Sequence, residues 1–335
     1  MQSLGILIGR FQPFHLGHRF LIETALGQSD EVLVLIGSSY RGRNIKNPWT
    51  FEERRQMILD AFKGQALHFA AIPDFFYDEQ AWVHAVEEAV NKKFPDAQKT
   101  LFGHTKDDSS YYLKLFGNWE FHELPDYQGI NATLIRERFF LQKHILDSAL
   151  PPETSQALEI FLHSNLYPAL HEEAQYIHDY QKTWQYSPYP PIFTTTDAVV
   201  ICEECILLIQ RGHAPGKGLF ALPGGYLEAG EWIIDGLIRE LHEETSIAVD
   251  KPHLKAALQE IKAYDYPDRS NIGRVITHAG LFILQHQSCP LVKAHDDALS
   301  ADWYPINQLF ALQDQFHEDH YQIIRDLLRR HGLFK

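Results

Sequence analysis

A short segment near the N-terminus combines glycines, an arginine and two histidines, and begins at Gly9 as Gly-Arg-Phe-Gln-Pro-Phe-His-Leu-Gly-His. His15 and His18 are three positions apart at the expected start of a helix, so both rings point to one side as donors. Gly9 and Gly17 let the backbone approach a ligand closely, and Arg10 adds a permanent charge. Because a helix N-terminus favours phosphate, the segment predicts a phosphate site. An ordinary helix start with two surface histidines is the alternative.

A second candidate site lies on an acidic helix in the C-terminal half. Glu240, Glu243 and Glu244 fall within an arc of about 100° on a helical wheel. Three carboxylates on one face repel each other, and a hard divalent cation such as Mg²⁺ relieves that repulsion. Glu231 lies across the wheel, so we expect it to support Arg239. A solvated acidic face is the alternative.

The composition limits the classes of protein to consider. A length of 335 residues predicts about two domains. The net charge of −14 argues against broad binding of nucleic acid or anionic membranes. No apolar run approaches ~20 residues, and the N-terminus does not look like a signal peptide, so we expect a cytoplasmic protein. Cys202 and Cys205 are expected to flank a hairpin turn rather than form half a zinc site.

The elements of the first half predict a parallel sheet. Apolar runs at 4–8 and 32–36 flank a helical segment at 17–27, which together form a βαβ unit. Further elements are expected as a helix at 50–62, a strand at 67–72, a helix at 81–94 and a strand at 100–103. The predicted class is doubly wound α/β, in which ligands bind at the carboxyl ends of the strands.

The second half has a different character. After helical material at 153–184, the proline-rich stretch at 186–191 is the clearest linker. Beyond it we expect strands at 198–201 and 206–210 around a tight turn, a helix at 232–244 and a strand at 275–284. This half is therefore predicted to be α+β. The predicted domains are residues 1–184 and 192–335, joined by a linker at 185–191.

The first segment resembles the H-x-G-H phosphate motif of the nucleotidyltransferase superfamily. Its longer string, which includes Phe11, is similar to the archaeal-like type of nicotinamide-mononucleotide adenylyltransferases. Residues 130–136, Ile-Asn-Ala-Thr-Leu-Ile-Arg, resemble a second motif of that superfamily, with Asn131 in place of the usual Ser. The segment at 47–54, Asn-Pro-Trp-Thr-Phe-Glu-Glu-Arg, is also similar. The resemblance covers about residues 1–180 and implies a Rossmann-like nucleotidyltransferase domain.

This resemblance implies attack of the mononucleotide phosphate on the α-phosphorus of ATP, which yields NAD and pyrophosphate. Catalysis then consists of positioning and charge stabilisation. His15 and His18 contact phosphates, Arg136 holds the β/γ end, and Mg²⁺ bridges phosphates. Trp82 matches the position of a tryptophan that stacks on nicotinamide. The implied substrate-binding residues are Gly9, Arg10, Phe11, Trp82, Gly103, Asp107 and Thr133.

The acidic helix and its preceding glycines resemble the Nudix box, with Ser246 where Gly is usual. The segments at 264–269 and 273–277 are similar to those of Nudix enzymes that act on ADP-ribose. The implied reaction is metal-assisted attack of water on a pyrophosphate, which gives AMP and ribose 5-phosphate. The implied catalytic metal ligands, for Mg²⁺ or its substitute Mn²⁺, are Glu240, Glu243 and Glu244. Arg269 and Arg274 are the implied substrate-binding residues.

The order of the two domains resembles that of the bifunctional adenylyltransferase/Nudix hydrolases. The implied ligands are ATP, nicotinamide mononucleotide, NAD and ADP-ribose, with no nucleic-acid or membrane partner. One alternative is adenylyl transfer to another acceptor, such as phosphopantetheine, and Trp82 argues against it. The other is a Nudix half that senses ADP-ribose without catalysis, against which the intact glutamates argue. The motifs leave open nicotinamide against nicotinate, the oligomeric state and any coupling between the sites.

Overall fold

The computed structural model describes residues 2–105, 108–285 and 288–333. The chain divides into two compact units, Met1–Ala174 and Gln175–Lys335. This division falls inside a helix, Tyr167–Lys182, that is continuous across it. The domain boundaries at 184 and 192 stay a prediction. In the described part of the chain, every helix is too short or too polar to cross a membrane.

The first unit contains a five-stranded parallel sheet, which confirms the doubly wound α/β prediction. Its strands are β1 (Ser3–Gly9), β2 (Glu31–Ser39), β3 (Leu67–Pro73), β4 (Gln98–Gly103) and β5 (Glu120–Glu123), in the order β3-β2-β1-β4-β5. The side chains of β1 alternate between two cores: Leu7 packs into one, and Leu4 and Ile6 into the other. A strand buried on both faces explains the apolar run in the sequence. The sequence did not predict β5.

Among the described residues, six α-helices belong wholly or partly to this unit. They are α1 (Leu16–Gln28), α2 (Phe51–Ala61), α3 (Glu79–Lys93), α4 (Ala132–Gln142), α5 (Pro152–Leu162) and α6 (Tyr167–Lys182). The capping box expected at the start of α2 is present, because Thr50 accepts from the Glu53 N–H and the Glu53 carboxylate accepts from the Thr50 N–H. The helical material expected at 153–184 is two helices, because Ser164 turns back to donate to the Phe161 carbonyl.

The second unit is built on a seven-stranded mixed sheet, as the α+β prediction expects. Its strands are β6 (Ile192–Cys202), β7 (Cys205–Arg211), β8 (Phe220–Ala221), β9 (Gly224–Tyr226), β10 (Leu258–Tyr264), β11 (Arg274–Leu284) and β12 (Ala298–Pro305). The main strand order is β10-β11-β6-β7-β12, and the short strands β8 and β9 pair with β7 and β6, respectively. Cys202 and Cys205 face each other across the β6–β7 hairpin as free thiols, which confirms the prediction that they flank a hairpin turn.

In the part of the second unit that the structure describes, three further α-helices are present: α7 (Ile233–Thr245), α8 (Lys251–Ala257) and α9 (His320–Arg330). Helix α7 buries Leu237 and Leu241 against the sheet, and its acidic face ranges from the exposed Glu243 to the buried Glu244. Ser246 ends α7 in the left-handed conformation, at φ 44° and ψ 36°. The turn that glycine usually makes here is therefore present with a serine, at a steric cost of about 1–2 kcal/mol.

Candidate active sites

The two N-terminal histidines form a reciprocal cap at the start of α1. His15 Nδ1 accepts from the His18 N–H at 3.3 Å, and His18 Nδ1 accepts from the His15 N–H at 3.3 Å. Their rings stack with centroids 3.6 Å apart and planes 19° apart, so the expectation that both point to one side is confirmed. Because each Nδ1 accepts, each neutral ring carries its proton on Nε2, as a donor.

The charge state of His18 follows from its surroundings. Burial above all, and then the charges of His15 and Arg10, lower the pKa of His18 well below its usual value of 6.5. His18 is therefore a neutral hydrogen-bond donor at neutral pH rather than a cation. The permanent charge beside it belongs to Arg10, whose side chain is exposed.

The glycines of this loop make room for its rings. A Cβ at Gly17 would lie 3.1 Å from His15 Cε1, and a Cβ at Gly9 would lie 3.1 Å from the Phe11 ring. Phe11 is buried in a left-handed conformation, at φ 52°, with its ring 4.6 Å from that of His18. The Phe11 side chain thus packs against His18, and its contact with substrate stays a prediction.

Arg54, the last residue of the motif segment at 47–54, was given no role in the predicted site, and it connects the ends of two strands beneath this loop. Its Nη1 donates to the Arg10 carbonyl at 2.6 Å and to the Gly37 carbonyl at 2.7 Å. The side chain is buried on the same face of α2 as Met57 and Ile58. Its 0, +3, +4 spacing with these apolar residues was the available sequence indication of a buried arginine.

Arg136 lies in a different environment from the one predicted. Its Nη1 donates to the Gln12 carbonyl at 2.7 Å, its Nε to the Ile45 carbonyl at 3.1 Å, and its Nη2 to Thr133 Oγ1 at 3.2 Å. Burial is the main cause that lowers its pKa, to about 9, which leaves it charged at neutral pH. Asn131 caps α4 by accepting from the Thr133 N–H at 2.8 Å. Arg136 and Thr133 therefore support the loop, and their contact with phosphate stays a prediction.

Two further predicted residues, Trp82 and Gly103, lie among the described residues, and a third does not. Trp82, on α3, is half-buried, with its ring edge-on to that of Tyr112 at 5.6 Å. A Cβ at Gly103 would lie 3.0 Å from Leu113 Cδ1, so this glycine is required for packing whether or not it also meets substrate. Asp107 lies outside the described residues.

In the second unit, Arg239 organises the acidic face of α7. It forms two hydrogen bonds to Glu231, at 2.7 and 3.1 Å, which confirms that Glu231 supports it. Its Nη1 donates to Glu240 Oε1 and to Glu243 Oε2, both at 2.8 Å, and its Nη2 donates to the Tyr226 carbonyl at 3.0 Å. One guanidinium thereby brings three carboxylates and strand β9 together.

Glu244 is buried beside these carboxylates and accepts from the Gly224 N–H at 2.8 Å. Burial is the main cause that raises the pKa of Glu244 to about 8, and the charges of Glu240 and Asp197 also contribute. Burial raises the pKa of Glu240 as well. A Cβ at Gly225 would lie 2.6 Å from Glu240 Oε1, so that carboxylate occupies the space a side chain would fill.

The donor set fits a hard divalent cation. Within the described ranges, no three His, Cys, Asp or Glu side chains converge closely enough to hold a metal ion as they stand. Glu240 and Glu243 instead accept from Arg239. Beside them, burial above all, and then the charges of Glu240 and Asp197, raise the pKa of the Glu244 carboxyl, so this group lies close to two other carboxylates. Carboxylate oxygens are the ligands that Mg²⁺ prefers in proteins.

Asp197, on β6, is a buried member of this site that sequence reasoning missed. It accepts from Thr277 Oγ1 at 2.5 Å, and a Cβ at Gly224 would lie 2.5 Å from its Oδ1. A carboxylate within the otherwise apolar end of β6 was the available sequence indication, since buried charges need a partner or a role.

The two predicted substrate-binding arginines both hold the loop before β11. Arg269 forms a bidentate ion pair with Asp319, at 2.8 and 3.0 Å, and both side chains are buried. The guanidinium of Arg269 is enclosed with Asp319, and its contact with substrate stays a prediction. Arg274 donates to the Asp265 carbonyl at 2.7 Å and to the Tyr266 carbonyl at 3.3 Å. Its contact with substrate stays a prediction.

Both units match known families. The cytidylyltransferase-like family matches residues 6–138, and the NUDIX domain family matches residues 193–327. The fold and the two sites therefore define a nucleotidyltransferase domain followed by a Nudix domain.

Three relatives narrow the assignment. A bifunctional NMN adenylyltransferase/ADP ribose pyrophosphatase from Francisella tularensis, solved with AMP and a Mn ion, is 37% identical with a TM-score of 0.93, over 98% of this chain and 99% of that one. The nicotinamide/nicotinic acid mononucleotide adenylyltransferase of Acinetobacter baylyi is 43% identical over 173 residues, which are 50% of this chain and 91% of that protein. The ADP-ribose pyrophosphatase of Methanocaldococcus jannaschii is 39% identical over 133 residues, which are 40% of this chain and 71% of that protein. The chain belongs to the family of bifunctional NMN adenylyltransferase/ADP-ribose pyrophosphatases.

Proposed function

We propose that this chain makes NAD from ATP and nicotinamide mononucleotide in its first unit and hydrolyses ADP-ribose in its second. The observation that carries the proposal is the likeness of this chain, over 98% of its length, to the bifunctional Francisella protein, together with one candidate site in each unit. The first site is the capped pair His15 and His18, and the second is the set of glutamates around Arg239. Because ATP is a proposed substrate, we propose the cytoplasm as the place of action.

In the first reaction an oxygen of the mononucleotide phosphate attacks the α-phosphorus of ATP, and the bond from that phosphorus to the β-phosphate oxygen breaks. The nucleophile is already an anion, so the chain needs no general base. The Nε2–H groups of His15 and His18 donate to phosphate oxygens as charge builds. Arg54 and Arg136 support the loop that holds them and keep its underside positive. A bound Mg²⁺ would supply neutralisation of the charge on the ATP phosphates.

In the second reaction the oxygen of water bonds to one phosphorus of ADP-ribose and the bridging P–O bond breaks, which releases AMP and ribose 5-phosphate. Glu240, Glu243 and Glu244 are the residues that would hold the divalent cation. A bound Mg²⁺ or Mn²⁺ supplies Lewis-acid polarisation of the pyrophosphate. Arg239 fixes the rotamers of two of these glutamates before substrate arrives, which is preorganisation. A non-catalytic sensor would have no need of this arrangement, so the enzyme is favoured over the sensor.

Product analysis tests both activities. We would incubate the protein with Mg²⁺, ATP and either nicotinamide or nicotinate mononucleotide, and separately with ADP-ribose, and identify the products by mass spectrometry. We expect a dinucleotide and pyrophosphate in the first case, and AMP and ribose 5-phosphate in the second. Failure to form a dinucleotide from either mononucleotide would refute the first activity. ADP-ribose that binds and is recovered intact would support the sensor.

A further inference from the structure

The short connection from β8 into β9 is held by three different elements. The Leu222 N–H donates to His320 Nδ1 on α9 at 2.9 Å, and the Pro223 carbonyl accepts from a backbone N–H of β6 at 2.8 Å. The Gly224 N–H donates to Glu244 Oε2 on α7 at 2.8 Å. Three consecutive residues thus have one anchor each, and the third anchor is a carboxylate of the acidic site.

This connection has little freedom to move. Leu222 is buried, and the proline that follows it fixes its own φ and restricts the backbone of Leu222. A Cβ at Gly224 would lie 2.5 Å from Asp197 Oδ1, so the backbone passes β6 more closely than a side chain would allow. A shift at Leu222 is therefore transmitted through the ring of Pro223 to the Gly224 N–H.

The His320 ring is suited to accept at the first anchor. It is buried, and burial above all lowers its pKa, so the ring is neutral at neutral pH. Because a backbone N–H donates to Nδ1, the proton of the neutral ring is on Nε2. Without this acceptor the Leu222 N–H would be a buried donor with no partner at this position, and the connection would be expected to shift.

The start of α9, which carries His320, is itself fixed. Asp319 directly precedes His320 and forms a bidentate ion pair with Arg269, at 2.8 and 3.0 Å, between two buried side chains. The N–H groups of Gln322 and Ile323 donate to the Asp319 carbonyl, which begins the helix. His320 therefore reaches Leu222 from a rigid support.

Glu244 is one of the residues that would hold the divalent cation, and the Gly224 N–H orients its carboxylate. Groups that orient a metal-ligating side chain influence metal affinity by about 10- to 100-fold. We propose that His320 is a positioning residue of the divalent-cation site, because it fixes the connection through which the Gly224 N–H holds Glu244. This inference rests on the proposed hydrolysis and adds to that site a residue from α9.

Binding of Mn²⁺ to the full chain without nucleotide tests the proposal apart from catalysis. The electron paramagnetic resonance signal of free Mn²⁺ gives the Kd, and binding that is lost in Glu244→Gln is assigned to the acidic site. In His320→Leu we expect this Kd to rise about tenfold. The Mn²⁺ concentration for half-maximal hydrolysis of ADP-ribose should rise by a similar factor. Saturating Mn²⁺ should recover most of the parent kcat, which a general loss of structure would not allow.

Matched variants separate the acceptor from the rest of the ring. In His320→Asn the amide oxygen lies as many bonds from the backbone as Nδ1 does, so it can accept the Leu222 N–H and should restore the parent Kd. Lys262→Met removes an ion pair between β10 and Asp326 of α9 and leaves Leu222 untouched, so it should bind Mn²⁺ as the parent does. If His320→Leu does not fold, His320→Ala, which cannot overfill the space, decides the outcome.

The outcomes distinguish this inference from the proposed function. A parent-like Kd in the folded Leu or Ala variant overturns the inference, as does a loss in His320→Asn or Lys262→Met equal to that in His320→Leu. A parent without a Mn²⁺ site that depends on Glu244 overturns it as well. A parent whose Mn²⁺ binding depends on His320 as expected, but which leaves ADP-ribose intact, refutes the proposed hydrolysis alone.

Discussion

His15 and His18 hold each other in place, because the Nδ1 atom of each ring accepts the backbone N–H of the other at 3.3 Å. The pair therefore acts both as the N-terminal cap of α1 and as two oriented Nε2–H donors. Removal of one ring affects the helix end as well as the candidate phosphate site. A test of function must separate these two effects.

The first prediction concerns the imidazole of His18. We expect His18→Ala to reduce NAD synthesis about 10²- to 10³-fold, as does loss of one transition-state donor worth about 2.7–4 kcal/mol. Hydrolysis of ADP-ribose should be nearly unchanged, because its residues lie in the other unit. Both activities would be assayed in the same preparation.

His18→Gln is the control, since a glutamine at this helix position can accept the backbone N–H. It should restore the melting temperature and leave synthesis impaired. Parallel loss of both activities with an intact fold would refute the two-site assignment.

The second prediction concerns pH and stability. Burial lowers the pKa of His18 in the folded state below its usual value of 6.5. As the pH falls through 6.5, the unfolded chain binds this proton first, so the free energy of unfolding decreases toward acid pH. The His18 contribution to that decrease should be absent in His18→Gln. Urea unfolding between about pH 7.5 and pH 5 measures it. Identical pH slopes for parent and variant would show that the His18 pKa is unperturbed.

The third prediction concerns Trp82. If its exposed part stacks on nicotinamide, Trp82→Ala should raise the KM for the mononucleotide far more than that for ATP. The expected loss is about 1–3 kcal/mol for one base. Trp82→Phe keeps a smaller aromatic face and should lose less. The ring also packs on Tyr112 and Phe116, so thermal melts of each variant are needed as a control. Loss of stability with an unchanged ratio of the two KM values would assign Trp82 to the core alone.

The fourth prediction concerns Glu244. Glu244→Gln should abolish most metal-dependent hydrolysis of ADP-ribose and spare adenylyl transfer. Glutamine keeps the shape and can still accept from the Gly224 N–H, so the variant tests charge rather than packing. Without metal it should be at least as stable as the parent at neutral pH, because the folded parent must keep the buried Glu244 carboxyl protonated, whereas glutamine carries no ionisable group. Its stabilisation by added Mg²⁺ should shrink. Parent-like hydrolysis throughout a Mg²⁺ titration would exclude Glu244 from the site.

Local patterns in the sequence predicted the features that depend on near neighbours. The apolar run of β1, the position of the histidines at the helix start and the pairing of Glu231 with Arg239 all follow from periodicity and spacing. Strand β5 could not be predicted, because Glu-Phe-His-Glu has neither the length nor the apolar character of a buried strand.

The environments of the arginines could not be predicted either, because their partners are distant in sequence. Arg136 meets the Gln12 carbonyl across 124 positions, and Arg269 meets Asp319 across 50. Spacing within a motif identifies an arginine as a candidate ligand of substrate. Only the folded structure shows whether the N–H groups of that arginine already donate to acceptors in the protein. The same limitation concealed Asp197, whose partner Thr277 lies 80 positions away.

The acceptors beneath the N-terminal loop are main-chain carbonyls, and this has a consequence for mutational tolerance. Arg54 donates to the carbonyls of residues 10, 37 and 38, and Arg136 to those of residues 12 and 45. Every amino acid carries that carbonyl, so replacing the residue at 38 or 45 leaves the acceptor in place. Lysine, in contrast, lacks the fork of donors that reaches two carbonyls at once. In a library of random variants, positions 54 and 136 should therefore accept fewer replacements than the loop positions whose backbone they hold.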